Sequence, residues 1–314
     1  MASSTWLRRS DPAMVLAAML RGSCLPTTSR LGPVACLFSL FSPFLPILKP
    51  MKYSYEQLAK MIDHSLLHPT MSDQELEDGC RLAAKYGVAS VCIKPYAVKR
   101  ATELLKGSGV LVGAVIGFPH GNSTTESKRY ETELACRDGA AEIDMVINIG
   151  KALSGDWEYV ARDIKAVCNE AHKHGAKVKV IFENDYLAKG GAGLGSDDFK
   201  RKLCQVSERA GADWVKTSTG YGFVKQGDGS YNYKGATEHD LTLMRASCSA
   251  RVQVKAAGGV RDLDGLIKVR DLGATRCGAT ATAAMLEEYR RREAVEQAGQ
   301  TSSGNAGKLG VGGY

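Results

Sequence analysis

Gly211-Ala-Asp-Trp-Val-Lys-Thr-Ser-Thr-Gly220 reads as a buried strand that runs into a polar loop. Small residues lead into the apolar pair Trp214 and Val215, and the next core position carries an ammonium group, Lys216. Three hydroxyl residues and a glycine follow, Thr217, Ser218, Thr219 and Gly220, a composition suited to a loop closing over a polar ligand. Lysine is rarely fully buried without a partner, because desolvating its charge is costly and drives its pKa down from about 10.4. A lysine so perturbed can attack a carbonyl and form a Schiff base. A lone lysine at a strand end more often snorkels to solvent, so the surrounding chain has to decide.

Outward from this stretch the same unit recurs, an apolar strand followed by an amphipathic helix. After a short helix over 55–60, the apolar runs predict strands over 61–67, 88–93, 110–118, 143–149, 178–182, 214–217, 252–255 and 275–278. The intervening periodicity predicts helices over 73–85, 97–105, 124–138, 157–174, 196–210, 238–248, 263–271 and 281–296. Eight such units spaced by roughly thirty residues point to a closed parallel (β/α)8 barrel, whose usual size of about 250 residues fits 52–296. Most of the strands are near-continuous apolar runs, as both-face burial requires. An open doubly wound sheet competes, but no G-x-G-x-x-G follows the first strand.

The flanks read differently. Residues 1–51 carry five basic residues against Asp11 alone, and end in an apolar run broken by Pro43 and Pro46. That run is short of the ~20 residues a membrane-spanning helix needs. The composition suits an organelle transit peptide; a disordered extension without a role is the competing reading, and on it the protein is cytoplasmic. Residues 297–314 are rich in Gly and Ser and read as a flexible tail ending in Tyr314.

Across the 314 residues, 44% are apolar and 24% charged, the balance of a globular protein. The net charge of +7 is concentrated in the first fifty-one residues, which argues against a nucleic-acid partner and allows an anionic small molecule. Nine cysteines are scattered singly with no C-x-x-C pair, and the six histidines form no ligand set, so no metal site is expected.

In a closed parallel barrel the active site lies at the C-terminal ends of the strands. Lys216 and Lys255 are read there, at the ends of the sixth and seventh strands, about 4.8 Å apart if the strands are neighbours. A second ammonium disfavours protonation of the first and so favours a nucleophilic amine. Asp144, inside the fourth strand, is costly to bury without a cation, and the two lysines supply it. Gly258-Gly259 and Gly278-Ala279-Thr280 leave backbone N–H groups uncovered for an anion.

The chain resembles the deoxyribose-phosphate aldolases along almost all of residues 56–290. The motifs are MIDHSLL, SVCIKPYAV, VIGFPHGNSTTESK, EIDMVINIG, VKVIFE, GADWVKTSTG, VKAAGGVR and GATRCGAT. The resemblance implies a TIM barrel and a class I aldolase that needs no metal or other cofactor. The implied reaction is reversible cleavage of 2-deoxy-D-ribose 5-phosphate into acetaldehyde and D-glyceraldehyde 3-phosphate, a step of deoxyribonucleotide catabolism. Partners would be this sugar phosphate and, in a homo-oligomer, other copies of the chain, with neither nucleic acid nor membrane.

Residue by residue, the resemblance makes Lys216 the Schiff-base lysine, Lys255 the lysine that tunes it, and Asp144 part of the proton relay. Cys92 and Ser65 would line the substrate pocket, and Gly220, Gly258, Gly259, Gly278 and Thr280 would belong to phosphate loops. Three departures stand out. Ala281 replaces a phosphate-binding hydroxyl, Asn184 and Asp185 replace a commoner Thr-Cys or Thr-Gly, and 221–234 is longer than in short bacterial members. Lys225 and Lys234 in that segment are either phosphate contacts or parts of an inert loop. A transaldolase-like Schiff-base enzyme and a silent sugar-phosphate-binding barrel are the alternatives; the full set of strand-end motifs opposes the first, and intact Lys216, Lys255 and Asp144 oppose the second.

Overall fold

The computed structural model describes residues 51–304, with side chains to residue 298. The expected leader, apart from Met51, and Tyr314 lie outside the described residues. Eight parallel strands close on themselves: β1 (Ile62–Leu66), β2 (Ser90–Ile93), β3 (Leu111–Ile116), β4 (Glu142–Val146), β5 (Lys177–Ile181), β6 (Trp214–Lys216), β9 (Gln253–Ala257) and β10 (Ala274–Ala279). Between β6 and β9 sits a small antiparallel hairpin, β7 (Val224–Lys225) and β8 (Tyr231–Asn232). Closure is made by β1 against β10, with Asp63 opposite Gly278.

The helices are α1 (Tyr55–Ala59), α2 (Asp73–Tyr86), α3 (Val98–Leu105), α4 (Thr125–Arg137), α5 (Ile149–Leu153), α6 (Trp157–Lys173), α7 (Ser196–Ala210), α8 (Glu238–Ser247), α9 (Leu263–Asp271) and α10 (Thr282–Gly304). Their boundaries follow local chemistry. Ser72 and Glu75 form a capping box at α2, and Gly87 ends that helix in the left-handed conformation. On α6, Val160, Ile164, Val167, Cys168 and Ala171 are buried at three- and four-residue spacing, so a single stripe faces the barrel wall. Lys128 on α4 is fully buried and donates to Asp163 on α6 at 2.6 Å and to the Val146 carbonyl at 2.9 Å, pinning two helices to the end of β4.

Three expectations need correction. The apolar run 143–149 is not one strand: Asn148 caps the Lys151 N–H at 3.0 Å and starts α5 at Ile149. Lys255 lies inside β9 rather than at its end, because Ala256 and Ala257, small as they are, continue the ladder against Cys277 and Gly278. The last helix passes the expected boundary at 297 and runs to Gly304, carried by good helix formers such as Gln297, Ala298 and Gln300.

Candidate active site

Side chains alternate along a strand, so the register fixes which residues share the barrel interior. Lys216 pairs with Lys255 across β6 and β9, Asp144 with Lys179 across β4 and β5, and Ser65 with Cys92 across β1 and β2. The two lysines therefore stand side by side. Asp144 Oδ2 accepts from Lys216 Nζ and from Lys255 Nζ, each at 2.7 Å. The Cys92 Sγ lies 3.8 Å from the same oxygen. All four side chains are buried, and Ser65 is half-buried beside them. An apolar wall of Leu67, Cys92 and Val115, with Phe118 packed edge-on against Tyr221, borders this group.

The electrostatics differ between the two amines. Burial pushes the Lys216 pKa down; Asp144 opposes this, Lys255 reinforces it, and the net shift is downward. Lys255 is buried as deeply, but Asp144 and Asp63 together hold it protonated, above the ordinary lysine range. Burial alone would raise Asp144, yet Lys179, Lys216 and Lys255 keep it well below the ordinary carboxylate value. The Cys92 thiol is pushed up, first by burial and then by Asp144, so it stays a neutral wall residue.

Under this group lies a set of charges that the sequence reading did not single out. Lys179 Nζ sits 3.0 Å from Asp63 Oδ2, 2.5 Å from Glu142 Oε2 and 3.0 Å from Asp144 Oδ1, the last off the hydrogen-bonding direction. Arg276 reaches Asp63 and Glu142, each at 2.7 Å. Asp63 Oδ2 also lies 2.6 Å from Lys255 Nζ. The Trp214 ring packs beneath, 5.8 Å from Lys179 Nζ and 5.4 Å from the Arg276 guanidinium carbon. The connected set holds three carboxylates (Asp63, Glu142, Asp144) and four bases (Lys179, Lys216, Lys255, Arg276). One base has no negative charge of its own, and Lys216 is the one whose pKa falls. The signal in sequence was a lysine inside an apolar run, Val178-Lys179-Val180, of the same form as Val254-Lys255.

The expected anion loops gather around β9 and β10. Gly258 and Gly259 both hold φ 86°, in the left-handed region that favours glycine. A Cβ on Gly278 would stand 3.5 Å from Lys255 Cε, so that glycine lies over the second lysine. Thr280 is exposed on the connection to α10, and the Ala281 carbonyl accepts the first helical bond, from the Met285 N–H at 3.1 Å. The cap position of a 23-residue helix thus lacks a side-chain acceptor for its free N–H groups. Gly220, at φ 84°, turns the loop after β6.

The segment 221–234 is the β7–β8 hairpin, and the chain leaving it lies on the Gly258-Gly259 loop: Ala236 N donates to the Gly258 carbonyl at 3.1 Å. Asp185, one of the departures from the family pattern, accepts from Lys234 N at 2.6 Å and Gly235 N at 3.0 Å. Glu183, two residues earlier, holds the other end. It adopts a left-handed φ of 59°, and its carboxylate accepts from the N–H and the hydroxyl of Thr219. Burial pushes its pKa up to about 7, against the pull of the Thr219 hydrogen bonds.

A family described as DeoC/LacD family aldolase matches residues 57–297. The deoxyribose-phosphate aldolase of Rhodopirellula baltica is 48% identical over 255 residues, covering 81% of this chain and 98% of that protein. That of Clostridium perfringens is 45% identical, covering 74% and 95%. Among solved structures, a putative deoxyribose-phosphate aldolase from Coccidioides immitis superposes with a TM-score of 0.67 at 34% identity, over 76% of this chain and 87% of that one. A tetrameric deoxyribose phosphate aldolase from Aeropyrum pernix gives 0.65 at 30% identity, over 76% and 92%. The chain belongs to the DeoC/LacD family of aldolases.

Proposed function

We propose that the protein is a deoxyribose-phosphate aldolase, cleaving 2-deoxy-D-ribose 5-phosphate reversibly to acetaldehyde and D-glyceraldehyde 3-phosphate through a Schiff base on Lys216. The observation that carries this reading is the pair of buried lysines sharing one oxygen of Asp144, with the lowered pKa on Lys216 and the raised one on Lys255.

In this reading the neutral amine of Lys216 attacks the C1 aldehyde of the open-chain sugar, and loss of water leaves an iminium that draws electrons from the C2–C3 bond. That bond breaks as the C3 hydroxyl loses its proton, and glyceraldehyde 3-phosphate departs. The remaining enamine takes a proton at its methylene carbon, and hydrolysis releases acetaldehyde. Asp144 is held ionised and is therefore a poor base; its part is to fix both amines. Lys255, held protonated, supplies the charge that keeps Lys216 neutral and is the nearer proton source. The phosphate is assigned to the N–H groups around Gly258, Gly259 and the start of α10, and the apolar wall from Leu67 to Phe118 to the acetaldehyde end.

Borohydride reduction in the presence of acetaldehyde tests this: mass spectrometry should find a reduced two-carbon adduct on the Lys216 peptide alone. An adduct on Lys255 instead would reverse the roles. The Aeropyrum pernix relative is tetrameric, and a homo-oligomer is proposed here too, to be checked by light scattering. Among the described residues no helix is long and apolar enough to cross a membrane. A cytoplasmic location is proposed, and mitochondrial import of a full-length fusion would overturn it.

A further inference from the structure

We propose that Cys204 and Cys248 form an oxidisable dithiol, which a hydroperoxide converts to a disulfide joining α7 to the end of α8. Cys204 Sγ on α7 sits against the Met244 carbonyl, one helical turn before Cys248 on α8. Cys204 is fully buried, its Sγ 4.0 Å from that carbonyl, whereas Cys248 is half-buried at the C-cap of α8. Their juxtaposition is built rather than incidental. Glu208 lies one turn beyond Cys204 on the same face of α7, and its carboxylate accepts from Ser249 N at 3.2 Å and from Ser249 Oγ at 2.5 Å. Arg245 grips the same segment from α8, donating to the carbonyls of Cys248 at 3.0 Å and Ser249 at 2.5 Å. The Cys248 backbone is thereby tied to the turn of α7 that follows Cys204 and to the last turn of α8.

The charges around the pair set its direction of reaction. The Cys204 thiol lowers the Cys248 pKa first; burial opposes this, Arg245 assists and Glu208 opposes. Cys204 moves the other way, raised by Cys248 and by burial. The thiols of Cys80 and Cys136 are pushed up to about 11, and those of Cys168 and Cys277 to about 12, mainly by burial. Cys92 is raised as well. Among the described cysteines only Cys248 combines a lowered pKa with access to solvent, the two conditions for attack on a peroxide.

The steps balance. The Cys248 thiolate attacks one oxygen of the hydroperoxide, forming S–O as O–O breaks, and the leaving oxygen departs as water or an alcohol after protonation. Cys204 then attacks the sulfenic sulfur, forming S–S as S–O breaks, and a second oxygen leaves as water. The two thiols lose two electrons and two protons, and the peroxide gains them. Residues 204–248 bracket β6 and the β7–β8 hairpin, so the cross-link closes a loop around the Schiff-base strand without touching it.

The test uses the full chain, reduced and then exposed to equimolar hydrogen peroxide. Trypsin releases Cys204 in 203–209 and Cys248 in 246–251, one cysteine in each. The expected result is a cross-linked pair of these peptides, about 2 Da lighter than the two thiols, lost on treatment with dithiothreitol. Cys204→Ser should stop the reaction at a sulfenic acid on Cys248 that dimedone traps, and Cys248→Ser should abolish both products. Aldolase activity of the reduced variants should match the parent. Preferential pairing or oxidation at other cysteines in the parent protein, or no dimedone adduct on Cys248 in Cys204→Ser, would overturn the proposal.

Discussion

The floor and the mouth of this barrel are built from the same residue types, and they behave oppositely. At the floor, Asp63 and Glu142 face Lys179 and Arg276, two negative groups for two positive, each carboxylate touched by both cations. At the mouth, Lys216 meets only Asp144 and shares it with Lys255, which also reaches Asp63. A buried charge with its own counter-charge and hydrogen bonds stays ionised and becomes structural. A buried amine that must share one loses its proton and becomes reactive. Burial alone does not separate the two outcomes, since Lys179, Lys216 and Lys255 are all buried, yet the first and last have raised pKa values and Lys216 a lowered one. The count of charges does.

The largest test removes mouth residues one at a time. Lys216→Leu deletes the nucleophile and should be inactive at every pH. Lys255→Leu leaves three carboxylates facing three bases, so Lys216 should return to its protonated form. Turnover at neutral pH should then fall steeply, by about tenfold for each pKa unit Lys216 regains, and recover in part as pH rises. A pH–rate profile for cleavage of deoxyribose 5-phosphate reads both; an unshifted profile for Lys255→Leu would break the charge-count explanation.

The floor should respond first in stability. Lys179→Met leaves Glu142 with Arg276 alone and Asp63 with Arg276 and Lys255, and should cost up to about 3–5 kcal/mol in denaturant unfolding. By the same count it should also move the activity profile of the folded protein to alkaline pH. Combining it with Glu142→Gln restores an excess of one base, so the double variant should regain stability and bring the profile back. Additive losses in the double variant would mean that the floor and mouth are independent.

Glu183 gives a smaller effect with a definite sign. Its folded pKa of about 7 lies above the ordinary value near 4.5, so between those limits the folded state binds more protons than the unfolded one. Its contribution to stability is therefore present below about pH 4.5 and lost as pH rises through 7. Comparing wild type with Glu183→Gln should isolate this slope, at most about 3 kcal/mol over that window. His64, whose pKa burial lowers to about 4, contributes a slope of opposite sign between about 4 and 6.5 in both proteins. It therefore cancels in the difference.

The smallest effect concerns the anion end. Ala281→Ser adds a hydroxyl at the start of α10, worth about 1 kcal/mol as one hydrogen bond. KM for deoxyribose 5-phosphate should fall by about fivefold, with unphosphorylated deoxyribose unaffected; equal changes for both sugars would remove the phosphate from this helix end.

Much of this was legible in the residues. The apolar runs located all eight barrel strands, and Lys216, Lys255 and Asp144 betrayed themselves as charges where apolar residues were due. Lys179 broke the pattern of its strand in the same way, but nothing local distinguishes a lysine that faces three carboxylates from one that meets a single shared aspartate. That distinction needs the register, which places Lys179 opposite Asp144 and Lys216 opposite Lys255. The hairpin stayed hidden because two-residue strands carry no periodicity. What holds it, Asp185 and Glu183, lies far back in the chain after β5. Asn148 concealed a helix start within an apolar run, since Ile147 and Ile149 suit either a strand or a buried turn of helix.

The interior network is also divided along the sequence. Every carboxylate in it comes from the first four strands, Asp63 on β1 and Glu142 and Asp144 on β4. Every base comes from the last four, Lys179, Lys216, Lys255 and Arg276 on β5, β6, β9 and β10. A half-barrel ending at β4 would thus present an uncompensated acidic inner face, and the complementary half an uncompensated basic one. Neither can dehydrate its interior alone. The two halves recognise each other by charge, and the closing of β1 on β10 becomes the event that permits burial. Folding is accordingly pressed toward all-or-none assembly, with half-formed barrels kept hydrated and open until the opposite charges arrive.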